Sequence, residues 1–113
     1  MDSRINKWLT DIKFAIEEID SFFENEPKDF LKYKENIMLK RAIERNLEII
    51  GEATNRIKKK QSDIKIENAK AIIGLRNLII HSYDNISDEN IWAIVINHIP
   101  KLKNEIINLL KAV

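Results

Sequence analysis

The stretch that decides the fold is residues 36–60, which read NIMLKRAIERNLEIIGEATNRIKKK. Apolar residues recur in it at spacings of three and four, the period of one face of an α-helix; they are Leu39, Ala42, Ile43, Leu47, Ile50, Ala53 and Ile57. Gly51 lies inside this pattern, although a glycine in mid-helix costs about 1 kcal/mol against alanine. We therefore predict one long helix whose glycine allows a second helix to pack closely against it.

The same periodicity predicts three further long helices around this one. They cover residues 3–24, residues 67–80 and a segment that begins at Ser87, and a short helical turn is expected at residues 29–33. Only two glycines and two prolines occur, too few for the many turns of a sheet protein. Few, long elements with short connections predict an all-α, up-and-down four-helix bundle that forms a single domain over residues 1–113.

The last of these helices has clear boundary signals. Ser87 is a favourable N-cap, and Asp88 and Glu89 suit the positive end of the helix dipole. Pro100 lies within the apolar pattern, and its ring and missing N–H are expected either to kink this helix or to divide it into two pieces.

Composition excludes several classes of protein. The 113 residues include no cysteine, which excludes disulfides, thiolate metal sites and cysteine nucleophiles. The formal net charge of +1 excludes a globally basic nucleic-acid binder. No apolar run approaches the ~18 residues of a membrane span, and the N-terminus lacks the apolar core of a signal peptide. We therefore expect a cytoplasmic protein that does not insert into membranes.

One segment concentrates polar side chains that can do chemistry. Residues 74–84 read GLRNLIIHSYD and bring together Arg76, Asn77, His81, Tyr83 and Asp84. Asn77 and His81 are four apart and share a helix face, whereas Arg76 and His81 are five apart and diverge by about 140° on an ideal helix. Either the helix unwinds near His81, or the site combines two chains. The second alternative predicts a homodimer in which two copies of this segment face each other.

These residue types suit cleavage of a phosphodiester bond in RNA. A histidine can deprotonate the ribose 2′-hydroxyl or protonate the leaving 5′-oxygen at neutral pH. An arginine can stabilise the charge that develops on the phosphoryl oxygens. The nucleophile belongs to the substrate, so we expect no cofactor and no metal; the two histidines make a poor transition-metal site, although scattered carboxylates leave magnesium open. The structural alternative is that His81 caps a helix and Arg76 forms a surface ion pair.

The sequence motif in this segment resembles that of a known family. Arg76, His81 and Tyr83 spell R-x-x-x-x-H-x-Y, the signature of the minimal HEPN ribonucleases called HepT-like toxins. Residues 74–81 resemble the family's G-x-R-N-x-x-x-H block, and residues 41–53 resemble its second-helix block. The likeness covers nearly the whole chain, with one departure: Ile66-Glu67-Asn68 stands where similar sequences often carry a tryptophan.

The resemblance implies an all-α, HEPN-like homodimer with a composite active site at the subunit interface. It implies a metal-independent endoribonuclease that is the toxin of a toxin–antitoxin pair, with a nucleotidyltransferase of the MNT type as antitoxin. Within that interpretation Arg76 and His81 are catalytic and Asn77 orients the His81 imidazole. Tyr83 contacts RNA and accepts the AMP that the antitoxin transfers; added bulk and negative charge there would block an RNA phosphate.

Other interpretations of the sequence stay open. The chain could be a non-catalytic helical binding partner of a minimal nucleotidyltransferase, or a purely structural bundle. The basic run Lys58-Lys59-Lys60 is either a solvated connector or a patch that attracts phosphate. The group Glu44, Arg45, Glu48 and Glu52 reads as an exposed ion-pair ladder, with a docking face for the nucleotidyltransferase as the alternative.

Overall fold

The computed structural model describes residues 2–81 and 87–112, and these ranges contain six α-helices and no β-strand. The helices are α1 (Ser3–Ser21), α2 (Phe30–Glu35), α3 (Ile37–Lys60), α4 (Ala69–His81), α5 (Asp88–Asn97) and α6 (Ile99–Lys111). The predicted all-α fold is confirmed. The four predicted long helices correspond to α1, α3, α4 and the α5–α6 pair, with α2 as the short additional helix.

The core is built from the apolar faces that the periodicity predicted. Helix α3 packs against both α1 and α4, and α6 packs against α1 and α5. Isoleucine dominates the interior; the fully buried members include Ile5, Ile12, Ile16, Ile19, Ile43, Ile50, Ile57, Ile91 and Ile106. None of the helices in the two described ranges is long and apolar enough to cross a lipid bilayer.

The long central helix begins at a side-chain cap. The Asn36 side chain accepts a hydrogen bond from the Leu39 amide at 3.0 Å, and α3 then continues to Lys60. Helix α1 ends at Ser21, three residues before the predicted position, because the chain tightens into successive turns. There the amides of Phe22 and Phe23 donate to carbonyls only three residues back.

Proline 100 divides the last predicted helix in two. Helix α5 ends at Asn97, and α6 starts at Ile99 with Pro100 in its first turn, where a missing N–H leaves no intrahelical bond unmade. The predicted cap at Ser87 is confirmed: its hydroxyl oxygen accepts from the Asn90 amide at 3.0 Å.

Glycine 51 performs the packing role that its position predicts. A Cβ atom at this residue would lie 2.9 Å from the Arg76 Cγ and 3.1 Å from the Ile72 carbonyl oxygen. Both contacts are tighter than side-chain carbons normally make, so only glycine allows α3 and α4 to approach this closely. The same close contact determines the direction in which the Arg76 side chain extends from α4.

An aromatic cluster attaches α2 to α5. Tyr33 is fully buried, and its ring stacks on Trp92 with centroids 5.0 Å apart. Phe23 meets Trp92 edge-on at 5.8 Å, so Trp92 serves packing. Burial raises the pKa of Tyr33, and the nearby carboxylates of Asp88 and Glu44 raise it further.

Candidate active site

Arg76 is the most firmly held polar residue of the predicted site. Its side chain is 22% exposed and its guanidinium lies between two helices. One terminal nitrogen forms a salt bridge with the carboxylate of Glu52 on α3. The other donates to the side-chain oxygen of Asn77 on α4 at 2.8 Å. Because an ion pair with α3 and a hydrogen bond within α4 hold the planar group from two directions, Arg76 has a defined orientation before any ligand arrives.

Glu52 joins Arg76 to a second arginine. The Arg56 Nε donates to the other oxygen of the same carboxylate at 3.0 Å. Two guanidinium groups therefore share a single negative charge, and this part of the surface keeps a net charge of +1. Such an excess favours binding of an anion beside Arg76.

Asn77 lies in a different contact from the one predicted. The sequence predicted that Asn77 orients the imidazole of His81, four residues later on the same face. Instead its carbonyl oxygen accepts the hydrogen bond from Arg76, and within the described ranges no hydrogen bond joins it to His81. The physical reason is that the neighbouring guanidinium is a charged donor, which makes a stronger bond than an exposed imidazole.

His81 is the last residue of α4, and it is exposed. The helix continues without interruption from Ala69 to His81, so it does not unwind between Arg76 and His81. On a continuous helix, residues five apart diverge by about 140°. One chain therefore directs the two side chains toward different surfaces.

Two of the residues named from the sequence, Tyr83 and Asp84, lie outside the described residues. Metal-binding groups can be assessed in the rest of the chain. Within residues 2–81 and 87–112, no three side chains of His, Asp or Glu are grouped closely enough to hold a metal ion.

Sequence reasoning missed the role of Glu52. It assigned Glu52 to an exposed ion-pair ladder, and that ladder exists: Arg41 pairs with Glu44 at 3.0 Å and Arg45 with Glu48 at 3.6 Å. Glu52 differs from these carboxylates because it also reaches across to α4. The available signal was its position directly after Gly51, since a glycine that admits a second helix places the next residue beside that helix.

The face of α4 away from α3 presents small residues to solvent. A Cβ atom at Gly74 would meet no other atom within 4 Å. Gly74 lies in a shallow open groove of about 370 Å³, together with Ala71, Leu78, Asn90 and Ala93. Leu78 is 44% exposed there, which is unusual for a large apolar side chain between two helices.

Comparison with known proteins identifies relatives. The family model described as Ribonuclease HepT-like matches residues 12–109. Putative RNase MJ1380 of Methanocaldococcus jannaschii is 39% identical over 80 residues, which cover 69% of this chain and 72% of that protein. Putative RNase TTE0752 of Caldanaerobacter subterraneus subsp. tengcongensis is 33% identical over 106 residues, which cover 91% of this chain and 88% of that protein.

A solved structure has the same fold as this chain. A chain in the "Crystal structure of the toxin-antitoxin with AMP-PNP" superposes with a TM-score of 0.75 and covers 99% of this chain and 100% of its own length. The two sequences are 20% identical, so this likeness concerns the fold, and it confirms the predicted all-α, HEPN-like architecture. With the family model matching residues 12–109 and two relatives at 33–39% identity, the chain belongs to the Ribonuclease HepT-like family.

Proposed function

We propose that this protein is a metal-independent endoribonuclease that acts as a homodimer and is the toxin of a toxin–antitoxin pair. The observation that carries the proposal is the guanidinium of Arg76, held by Glu52 and Asn77 at the surface of a helix that ends in His81. The membership of the Ribonuclease HepT-like family and the relatives named as RNases support this activity.

The proposed reaction uses a nucleophile that RNA supplies. A base removes the proton of the ribose 2′-hydroxyl, and the 2′-oxygen attacks the adjacent phosphorus. The bond to the 5′-oxygen breaks, and that oxygen takes up a proton from an acid. The products are a 2′,3′-cyclic phosphate and a free 5′-hydroxyl. His81 is the acid or the base, and Arg76 stabilises the negative charge on the phosphoryl oxygens.

A composite site explains how these two side chains act on one bond. Since a continuous α4 directs Arg76 and His81 apart, we assign the histidine of each site to the second copy of the chain. The groove around Gly74 supports this assignment, because small residues on α4 allow another helix to approach closely. In a twofold dimer the same patch serves both chains, so two equivalent sites result.

The proposed antitoxin is a nucleotidyltransferase of the MNT type. The structural neighbour is a toxin–antitoxin with AMP-PNP, an adenine nucleotide. We assign Tyr83 as the residue that accepts AMP from the antitoxin. The modification would add negative charge within two residues of His81 and repel an RNA phosphate.

The activity is tested with purified protein and RNA in the presence of EDTA. We expect cleavage that leaves 2′,3′-cyclic phosphate ends. Arg76→Ala removes the charge from the transition state and should lower kcat about 100-fold to 1,000-fold. Arg45→Ala removes an exposed arginine that pairs with Glu48, and this control should retain wild-type activity.

Two results would contradict the proposal. One is full activity of the Arg76→Ala or His81→Ala variant. The other is a protein that binds a nucleotidyltransferase tightly and cleaves no RNA under any condition, which would establish the non-catalytic binding partner instead.

A further inference from the structure

We propose that α5 forms the second half of the homodimer interface, where Leu78 of α4 and Ile96 of α5 insert into the two grooves that flank Ala93 of the second copy. The inference deepens the proposed function and rests on the homodimer stated there. It extends the contact from the groove around Gly74 onto a helix that carries none of the proposed catalytic residues.

Two shallow grooves run side by side along α5 and share Ala93. The first, of about 370 Å³, lies between α4 and α5 and contains Gly74 and Leu78. The second, of about 300 Å³, lies between α2 and α5 and contains Trp92 and Ile96. Ala93 is exposed, and its short side chain makes the ridge between the two grooves low. A helix of another molecule can therefore approach α5 closely at this point.

On each of the two helices a small residue and a large apolar residue share one face. Gly74 and Leu78 are four apart on α4, and Ala93 and Ile96 are three apart on α5. Leu78 is 44% exposed and Ile96 is 38% exposed, so both large side chains extend into solvent. Exposed apolar patches of this kind mark interaction sites. A second copy can place its large side chains over the small residues of the first.

The first groove carries no charge, which favours a second copy of the chain as its occupant. Charged residues make up 33% of the sequence. Among the described residues that line this groove none is charged; they are Ala71, Gly74, Leu75, Leu78, Asn90, Ala93 and Ile94. Because a twofold dimer brings identical surfaces together, an uncharged surface can pair with itself without repulsion. Depletion of charge is typical of interface cores, and the groove offers no cation to an RNA phosphate.

The charges that border this surface have opposite signs. Lys70 lies four residues before Gly74 on α4 and is exposed. Glu89 lines the second groove and lies 3.9 Å from the ammonium group of Lys34. A second copy therefore meets both signs of charge at the rim and an apolar centre, which is the usual arrangement of a protein–protein interface.

The same surface contains or adjoins the residues that the proposed reaction takes from two chains. His81 is seven residues after Gly74 and is rotated from it by only about 20° around α4. Asn77, which holds the guanidinium of Arg76, is three residues after Gly74 and is rotated by about 60°. The imidazole therefore belongs to this surface and the guanidinium lies at its border. Contact through α4 and α5 is compatible with the shared site.

The size of the surface predicts how tightly the dimer is held. Helices of 13 and 10 residues that lie side by side present an area about 20 Å long and about 20 Å wide. This is the lower end of the size range of specific interfaces. We therefore expect a reversible dimer whose subunits exchange.

The test measures dimerisation by analytical ultracentrifugation at a series of protein concentrations, independently of RNA cleavage. Ala93→Arg adds a long charged side chain on the ridge of α5, and Gly74→Arg does the same on α4. Asn104→Arg is the control with the same change in charge, because Asn104 is an exposed residue of α6 that lines neither groove. Ile96→Gln removes one apolar insertion without adding charge, and it replaces an arginine variant that fails to fold. Circular dichroism checks the folding of each variant.

We expect Ala93→Arg and Gly74→Arg each to raise the Kd of the dimer at least about 100-fold, since each dimer would contain the buried charge twice. Ile96→Gln should raise the Kd about 10-fold, and Asn104→Arg should leave it unchanged. The role of α5 would be overturned by a wild-type protein that is monomeric at every concentration. It would equally be overturned if folded Ala93→Arg or Ile96→Gln protein dimerised as wild type does.

Cleavage of RNA by wild type is scored separately, so that the interface and the proposed nuclease can fail independently. A dimer that Ala93→Arg disrupts, but that cleaves no RNA as wild type, would reject the nuclease and leave the interface in place. A dimer that cleaves RNA and is unaffected by Ala93→Arg would reject the interface on α5 and leave the nuclease in place.

Discussion

At the scale of single residues, the central feature is the way three side chains hold Arg76. Gly51 gives its stem space, Glu52 balances its charge, and Asn77 accepts one of its donors. A free arginine side chain explores many rotamers, and holding it in one geometry removes that entropy cost from the reaction. In the proposed reaction Glu52 is therefore a positioning residue that acts through Arg76.

Removing the charge of Glu52 should slow the reaction without removing Arg76. We expect Glu52→Gln to lower kcat about 10-fold to 100-fold, because a displacement of about 1 Å in a reacting group has effects of that size. KM should change much less, since the net positive charge that attracts RNA increases. Steady-state cleavage assays separate the two parameters.

Glu48→Gln is the matched control for this prediction. Glu48 lies one turn earlier on α3, has similar exposure and pairs only with Arg45. It should leave kcat unchanged. Equal losses in the two variants would show that Glu52 has no special relation to Arg76.

The glycines permit a second prediction at this scale. Gly51→Ala gains helix propensity of about 1 kcal/mol but forces a methyl group against Arg76 and Ile72, and such overpacking costs about 1–3 kcal/mol. We expect a net loss of unfolding free energy together with a loss of cleavage, because the stem of Arg76 must move.

Gly74→Ala is the matched control, because it adds the same methyl group in open space. In dilute, monomeric protein the Gly74→Ala change should be neutral or stabilising. Denaturant titration measures the free energy of unfolding of both variants. A Gly51→Ala protein as stable and active as wild type would contradict the packing argument.

At the scale of helices, α2 is short and depends on its attachment to α5. Six residues cannot form a stable helix in water on their own. The buried ring of Tyr33, stacked on Trp92, supplies the missing stabilisation. Its hydroxyl is buried and has no hydrogen-bond partner in the described part of the chain. Ionising that hydroxyl inside the protein is therefore unfavourable.

The raised pKa of Tyr33 predicts a loss of stability in alkali. Because its pKa is higher in the folded chain than in the unfolded one, its hydroxyl stays protonated in the fold after the unfolded form has ionised near pH 10. Below that pH the group has no effect on the pH dependence of folding. Above it, the free energy of unfolding should fall by about 1.4 kcal/mol per pH unit relative to a variant without the hydroxyl. Urea titrations of wild type and Tyr33→Phe from neutral to alkaline pH measure this difference; parallel curves would contradict it.

Helix boundaries followed from the sequence where they depend on nearby residues. Ser87 caps its helix and Pro100 divides the last predicted one, since each effect acts within one turn. The contact between Glu52 and Arg76 joins two helices, and no local pattern names the partner. Spacing on one helix paired Asn77 with His81, whereas in the structure its side-chain oxygen accepts a hydrogen bond from the guanidinium of Arg76, the residue before it.

At the scale of the whole molecule, two opposite faces of α4 have different surroundings. One face of α4 lies against α3 and positions Arg76 beside Glu52. The opposite face presents Ala71, Gly74 and Leu78, residues that suit close approach of a second helix. Since α4 also carries His81 at its end, association through this helix would unite the two halves of the chemistry. Dimerisation would then be a condition of activity as well as of stability.

The most direct test of this account mixes two inactive variants. Arg76→Ala and His81→Ala protomers are each expected to be inactive alone. If Arg76 of one chain acts with His81 of the other, a mixed dimer contains one site in which both residues are intact. Random exchange of subunits should then restore about one quarter of the wild-type RNA cleavage. A mixture that exchanges subunits, as shown by mass spectrometry, yet stays inactive would contradict the shared active site.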